Sequence, residues 1–252
     1  MRQILEEAVL SCWQEAQDLV IIVAPAAIVG PIFVIIAGSS LSLGLATLPV
    51  FLLAYLVVYA ACIRGAVLMA RNLSPDPVEV YRDVLYCSPD VGRVALPGVL
   101  LAAAVVFSLL VVVDQGMLLL AAPVALAGIG AIVFWLTRHA YDLPLVVAHS
   151  LPAQEAARGG AQLAEAGLSW TVALIAVVAS PLALIALLCW GFSAVVTPTF
   201  GGVVFMLALS AWLPLAAFAM TTACEWLIEA ASGATAQPAS PSAPAADQRP
   251  WN

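Results

Sequence analysis

Apolar residues run along this chain in six long blocks: Leu19–Ala37, Leu43–Ile63, Val94–Val113, Gln115–Leu136, Trp170–Trp190 and Val203–Ala223. Each has about the 20 residues needed to cross a hydrocarbon core of roughly 30 Å. The polar connections alternate between short and long. The pattern predicts an all-α polytopic membrane protein with six transmembrane helices.

The stretches before the odd-numbered spans are periodic at the helical repeat. Ile4, Leu5, Ala8, Val9, Cys12, Trp13 and Ala16 recur at three- and four-residue spacing, while Glu6, Glu7, Gln14, Gln17 and Asp18 take the other face. After the Ser74-Pro75-Asp76-Pro77 break, Val80, Tyr81, Val84 and Leu85 make one stripe and Glu79, Arg82, Asp83 and Asp90 the polar side. After Leu151-Pro152, Ala157, Ala161, Ala164 and Leu168 oppose Glu155, Arg158, Gln162 and Glu165. Such helices lie in the membrane interface, either against lipid or packed on the protein's own spans. For the first of them packing is the expectation, because its acidic polar face gains nothing from anionic lipid.

One interfacial helix followed by two spans, taken three times, suggests a repeat with a period near 75 residues. Glu7, Glu79 and Glu155 recur at steps of 72 and 76, and Pro49, Pro123 and Pro198 at 74 and 75. Prolines also fall within or beside every span. In lipid each removes a helical donor, and the carbonyl left over needs a partner from a neighbouring helix, hydroxyl or water. Kinked, closely packed helices are expected rather than moving hinges.

The membrane domain is assigned to residues 1–231 and a tail to 232–252, which is rich in Pro, Ala and Ser without apolar periodicity and reads as disordered. Glu6, Glu7, Glu15 and Asp18 before the first block, with a single Arg2, do not resemble a cleavable signal, so span 1 is expected to persist.

Composition agrees with a bilayer as solvent. The chain is 64% hydrophobic and 9% charged, with a mean hydropathy of +1.08, against about 25% charged in soluble domains. It has no lysine. Its eight basic residues are Arg2, Arg64, Arg71, Arg82, Arg93, Arg138, Arg158 and Arg249, and all fall on one side of the six-span pattern. The connections at Gly38–Ser42, Asp114 and Gly191–Gly202 have none. Basic residues near spans stay in the cytoplasm, so both termini and the long loops are expected inside a bacterial inner membrane. Trp135, Trp170 and Trp226 at the inner ends and Trp190 at an outer end suit an interfacial belt.

The net charge of −7 and the absence of clustered basic residues exclude an electrostatic grip on nucleic acid. Cys12, Cys62, Cys87, Cys189 and Cys224 lack CxxC spacing and read as small hydrophobes. No phosphate loop, GxSxG elbow or HExxH motif occurs, and no ionisable side chain falls centrally in a span. Neither catalysis nor a cofactor or metal is therefore expected. The densest polar cluster is Arg138, His139 and Asp142, with His149 beyond. On a continuing helix His139 and Asp142 are i, i+3 neighbours, able to share a proton or a metal; a solvated helix end is the expected reading. Glu225 and Glu229 are placed to meet Arg138 or Arg64. Tyr55, Tyr59, Ser108, Ser180, Ser210, Thr221 and Thr222 are expected to pack between helices.

The stretch Leu151-Pro152-Ala153-Gln154-Glu155-Ala156-Ala157-Arg158-Gly159-Gly160-Ala161-Gln162-Leu163, leading into Trp170, resembles a piece of small bacterial six-span inner-membrane families. It is similar to the membrane domain found beside some glycerophosphodiester phosphodiesterases, where a short EA-x-R helix also leads into a membrane pair. The resemblance implies an inner-membrane helical domain and no catalytic residue, because the phosphodiesterase chemistry belongs to a separate soluble barrel.

These features suggest a non-enzymatic membrane protein that organises lipid or a cytoplasmic partner through Glu79, Arg82, Asp83, Glu155 and Arg158. The alternative is the permease subunit of an ATP-driven exporter, with an ATPase as partner. The topology is checked by cysteine accessibility in a variant lacking the native cysteines. A cysteine placed at Ser40 or Gln115 is expected to react with an impermeant maleimide in intact cells, and one at Asp76 or Ser150 only after lysis.

Overall fold

The computed structural model of the chain describes residues 10, 16–71, 73–193 and 197–235. Among these there are nine helices and no strand: α1 Ala16–Ser39, α2 Leu41–Ala70, α3 Pro77–Tyr86, α4 Ser88–Asp114, α5 Leu118–His139, α6 Asp142–His149, α7 Ala153–Ala166, α8 Leu168–Ser193 and α9 Pro198–Thr235. Six stretches, carried by α1, α2, α4, α5, α8 and α9, are long and apolar enough to cross a membrane. The chain is a multi-pass all-α membrane protein, as its six blocks predict. The amphipathic segment expected near the N-terminus lies almost wholly outside the described residues, as does the tail beyond Thr235. At about 1.5 Å per residue, the 38-residue α9 is near 57 Å long and outruns any bilayer core. It remains helical past residue 231, where the membrane domain was expected to end.

Helices α1, α2 and α9 pack on one another and form the core of the bundle. Helices α4 and α5 form a hairpin, and α8 lies along α9. Among the described side chains of α4 the buried ones are Val91, Val94 and Ala95, all in its first two turns. Beyond them most apolar side chains of α4, α5 and α8 face outward, including Leu100, Phe107, Leu126, Ile129, Leu184 and Leu187. A lipid-facing helix needs no apolar cover, so this arrangement costs nothing in a bilayer and is excluded in water.

All seven prolines inside α1, α2, α4, α5, α8 and α9 are accommodated without ending a helix. In α1, Pro25 and Pro31 remove the donors to the carbonyls of Ile21 and Ala27. Two tyrosine hydroxyls arrive one residue away: Tyr81 donates to the Ile22 carbonyl, and Tyr55 lies 3.2 Å from the Ala26 carbonyl oxygen. Tyr55 is also 2.9 Å from Ser210 Oγ on α9, whose hydroxyl donates to the Met206 carbonyl at 2.8 Å. One phenol thus ties the three core helices together. Gly30 makes room for it, since a Cβ there would collide with the Tyr55 hydroxyl. Of the other hydroxyls, Ser108, Ser180 and Thr221 bond carbonyls of their own helices.

The second and third of the three expected units can be compared directly among the described residues, whereas the interfacial helix of the first lies outside them. A single residue, Cys87, separates α3 from α4, and a single residue, Gly167, separates α7 from α8. At this offset of 80 (167 less 87) buried positions coincide: Val80 with Gly160, Val84 with Ala164, Val91 with Thr171 and Val94 with Leu174. The helix starts, Pro77 and Ala153, differ by 76 instead. Helix α7 has 14 residues where α3 has 10, so the later unit is longer by about one helical turn at its start. The period near 75 seen in sequence therefore holds for the helix starts and gives way to 80 at the junctions.

Tyr55→Phe is expected to destabilise the bundle by about 1 kcal/mol, the usual scale for a hydrogen bond between membrane helices. Reversible unfolding in mixed detergent against the parent protein measures this.

Candidate functional site at the arginine-bearing face

Polar side chains gather where the described arginines lie, at the end of the bundle built by α3, α6, α7 and the adjoining helix ends. Its centre is α6, which the sequence pattern did not separate from a loop. Every residue from Tyr141 to Ala148 is buried. Helix α5 stops at His139, the chain turns at Ala140–Tyr141, and α6 begins with Asp142. Ser150 closes α6 in the left-handed conformation, φ 54°, with the Leu151 N–H reaching back to the Leu145 carbonyl. That closure satisfies orphan carbonyls before Pro152 stops the helix. Tyr141 is pinned by a 2.9 Å contact between its hydroxyl and Thr171 Oγ1 of α8.

The expected pair His139 and Asp142 does meet. His139 Nδ1 lies 2.7 Å from Asp142 Oδ2, and the imidazole stacks on Trp135 with ring centroids 5.0 Å apart. The site is no solvated helix end: Asp142 is 1% exposed. Asp142 Oδ1 has no hydrogen-bond partner among the described residues and packs against Gly160 of α7. His149 goes elsewhere, its Nε2 3.1 Å from Glu225 Oε1 of α9. No group of three His, Cys, Asp or Glu suited to a metal ion occurs among the described residues.

The arginines also choose partners other than those expected. Arg64 donates from Nε and Nη2 to Asp83 Oδ2 at 3.0 and 2.8 Å, and Arg138 lies 3.6 Å from Glu165. Neither meets Glu225 or Glu229. Both pairs follow one rule: an arginine at the end of a unit's second span holds the interfacial helix of the next unit. Asp90, at the start of α4, accepts from the Ala153 N–H at 3.2 Å and so caps α7.

The interfacial helices differ in what they bury. In α3, Val80 and Val84 are buried as expected, but Leu85 is turned outward. In α7 the buried set is Ala153, Ala156, Gly160 and Ala164, rotated from the expected Ala157, Ala161, Ala164 and Leu168. The close approach of Asp142 explains the rotation, because a side chain at 160 would occupy the position of its carboxyl oxygen.

The five expected partner contacts divide. Glu79 and Arg82 are exposed and paired with each other at 3.3 Å, whereas Asp83 is committed to Arg64. Glu155 and Arg158 lie on an exposed face of α7 shared with Gln154, Gln162 and Glu165, all polar. On α3 the exposed face is different: Val78 is 74%, Leu85 62% and Tyr86 80% exposed beside Glu79 and Arg82. The apolar part of this surface was missed in sequence because Leu85 fits the buried stripe as well as the exposed one.

A cleft of about 410 Å3 between the α3–α4 junction and the α6–α7 connection is lined by Arg64, Asp83, Cys87, Asp90 and Ser150, among others. Burial pushes the Cys87 thiol above its usual range, with Asp83 and Asp90 adding to the shift and Arg64 opposing it, so a thiolate nucleophile is disfavoured there. Burial, reinforced by Cys62, raises the Tyr81 phenol to about 12, which keeps it a hydrogen-bond donor.

These features define a helical membrane protein with a structured polar face. No family model, curated protein or solved structure matches the chain.

Two neighbouring glycines test the packing of α6 on α7. A Cβ at Gly159 would make ordinary contact with Leu145, so Gly159→Ala is expected to be neutral or to stabilise by up to about 1 kcal/mol through helix propensity. A Cβ at Gly160 would collide with Asp142, so Gly160→Ala is expected to cost about 1–3 kcal/mol. Unfolding midpoints of the two variants give the comparison.

Proposed function

We propose that the protein is a non-enzymatic scaffold of the bacterial inner membrane, with both termini cytoplasmic, which docks a protein partner on α3. The observation that carries this reading is the exposed face of Val78, Leu85 and Tyr86 flanked by the Glu79–Arg82 pair. Tyr and Arg beside exposed aliphatic side chains have the composition of interface hot spots. Helix α3 has one arginine against two carboxylates, so an anionic lipid surface gains nothing from it. Its inner face is held firmly by Val80, Val84, the Tyr81 hydrogen bond and the Arg64–Asp83 ion pair, which limits the ordering cost of binding. The polar α7 face, with Glu155 and Arg158, adds a solvated rim.

The permease subunit of an ATP-driven exporter is the second reading. Helix α3 lies between the second and third spans and is tied to α1 by Tyr81 and to α2 by Arg64. A push on α3 from an ATPase would reach both core helices.

A photo-crosslinking residue at Tyr86, in membranes, is expected to capture a discrete protein. With the crosslinker kept at position 86, combining Val78→Ser and Leu85→Ser is expected to lower recovery of that partner at least tenfold, and Glu155→Ala with Arg158→Ala to lower it less. Unchanged recovery with the α3 variant refutes docking there. An ATPase as the captured species selects the second reading.

A further inference from the structure

A second cavity, of about 260 Å3, lies between α2, α4, α5, α8 and α9, away from the exposed face of α3. Its walls are mainly apolar, with Leu52, Leu56, Val99, Ala102 and Ile175 among them. Most of the lining is half-buried, and Leu136 is exposed, so the space opens toward the outside of the bundle. Lined with hydrocarbon at the end of a membrane bundle, it suits a lipid chain better than a water-soluble ligand.

Polar side chains enter at Tyr59, Trp135 and His139. The Tyr59 hydroxyl and His139 Nε2 hydrogen-bond no described residue. His139 is oriented from behind: Nδ1 faces Asp142 Oδ2 at 2.7 Å, and Trp135 stacks on its ring. The Nδ1 contact with Asp142 leaves Nε2 as the ring nitrogen open to a ligand, and Tyr59 supplies a hydroxyl donor. Trp135 is admitted by Gly98, where any Cβ would collide with the indole. The stack, the glycine and the buried carboxylate together hold one imidazole at the polar end of an apolar space.

We propose that this cavity binds a single-chain lipid acid, with the carboxyl group of a long-chain fatty acid against Tyr59 and His139 and its hydrocarbon running outward among α4, α5 and α8. A carboxyl group can hydrogen-bond Nε2 in either proton state, donating as the acid to a neutral imidazole or accepting as the carboxylate from a protonated one, and it accepts from the tyrosine hydroxyl, which matches the atoms presented. The volume is below the roughly 300–1,000 Å3 of typical ligand pockets and disfavours a two-chain lipid. No arginine among the described residues lines the cavity, so a phosphate headgroup would lack the cationic partner it ordinarily requires. This site is independent of docking on α3.

The test uses the full chain in lipid nanodiscs with a diazirine-bearing palmitic acid, its methyl ester and a diazirine-bearing phosphatidylcholine, with labelled peptides located by mass spectrometry. The acid is expected to label segments around Tyr59 and Trp135. Tyr59→Phe, which removes one oxygen, and Ala102→Phe, which fills the cavity, are each expected to reduce this labelling at least fivefold without lowering the thermal transition by more than a few degrees. The ester is expected to label the site less than the acid. Three results would overturn the proposal: labelling no stronger than at the outward-facing Ile129 and Leu184, labelling unchanged by Tyr59→Phe, or preferential labelling by the phospholipid. The first would mean that the acid partitions as bulk lipid, and the last that the cavity takes a two-chain lipid.

Discussion

The structure depends on burying one short helix without leaving its backbone unsatisfied. Helix α6 has eight residues, too few to be stable alone, and is enclosed by α2, α4, α7 and α9. Its start carries Asp142 against His139, its end is closed by left-handed Ser150, and its last residue reaches Glu225. These contacts join the α4–α5 hairpin to the rest of the bundle at one end. Buried polar groups left unpaired cost more than paired ones contribute, so each of these partners constrains where its own helix can sit.

The two ends of the bundle consequently differ. At the arginine-bearing end, α3, α6 and α7 knit the spans together through ion pairs, caps and small residues. Toward the other end, α4, α5 and α8 expose apolar side chains on most sides, and the tightly packed part reduces to α1, α2 and α9 with Tyr55 between them. Lipid tails are as apolar as leucine, and so packing in that region comes from shape and from the few hydroxyls that satisfy carbonyls beside prolines.

The arginine pairs give the repeat a physical meaning. Arg64 reaches forward to Asp83 and Arg138 to Glu165, each time from the end of a second span to the next interfacial helix. Arginines that the sequence reading uses for orientation thus also tie consecutive units together. Lengthening α7 by one turn preserves the face that meets its neighbours, because four residues return nearly to the same side of a helix. The four-residue difference between the step of 76 at the helix starts and the step of 80 at the junctions is that extra turn.

The amino-acid sequence determined the six spans, the existence of α3 and α7 and the prolines that the long helices contain without breaking. Those properties follow from segment length, hydropathy and local periodicity, which lipid and water read one segment at a time. The adjacency of His139 and Asp142 was legible too, because it needs only three residues of chain. Tertiary structure alone decided that Asp142 is buried, that Gly160 rather than Ala161 faces inward, that Leu85 turns out and that Glu225 takes His149. The chain also contains no local signal that separates α6 from a loop. In each case the deciding partner is remote in sequence, and whether a small or polar residue faces inward depends on what fills the space opposite it.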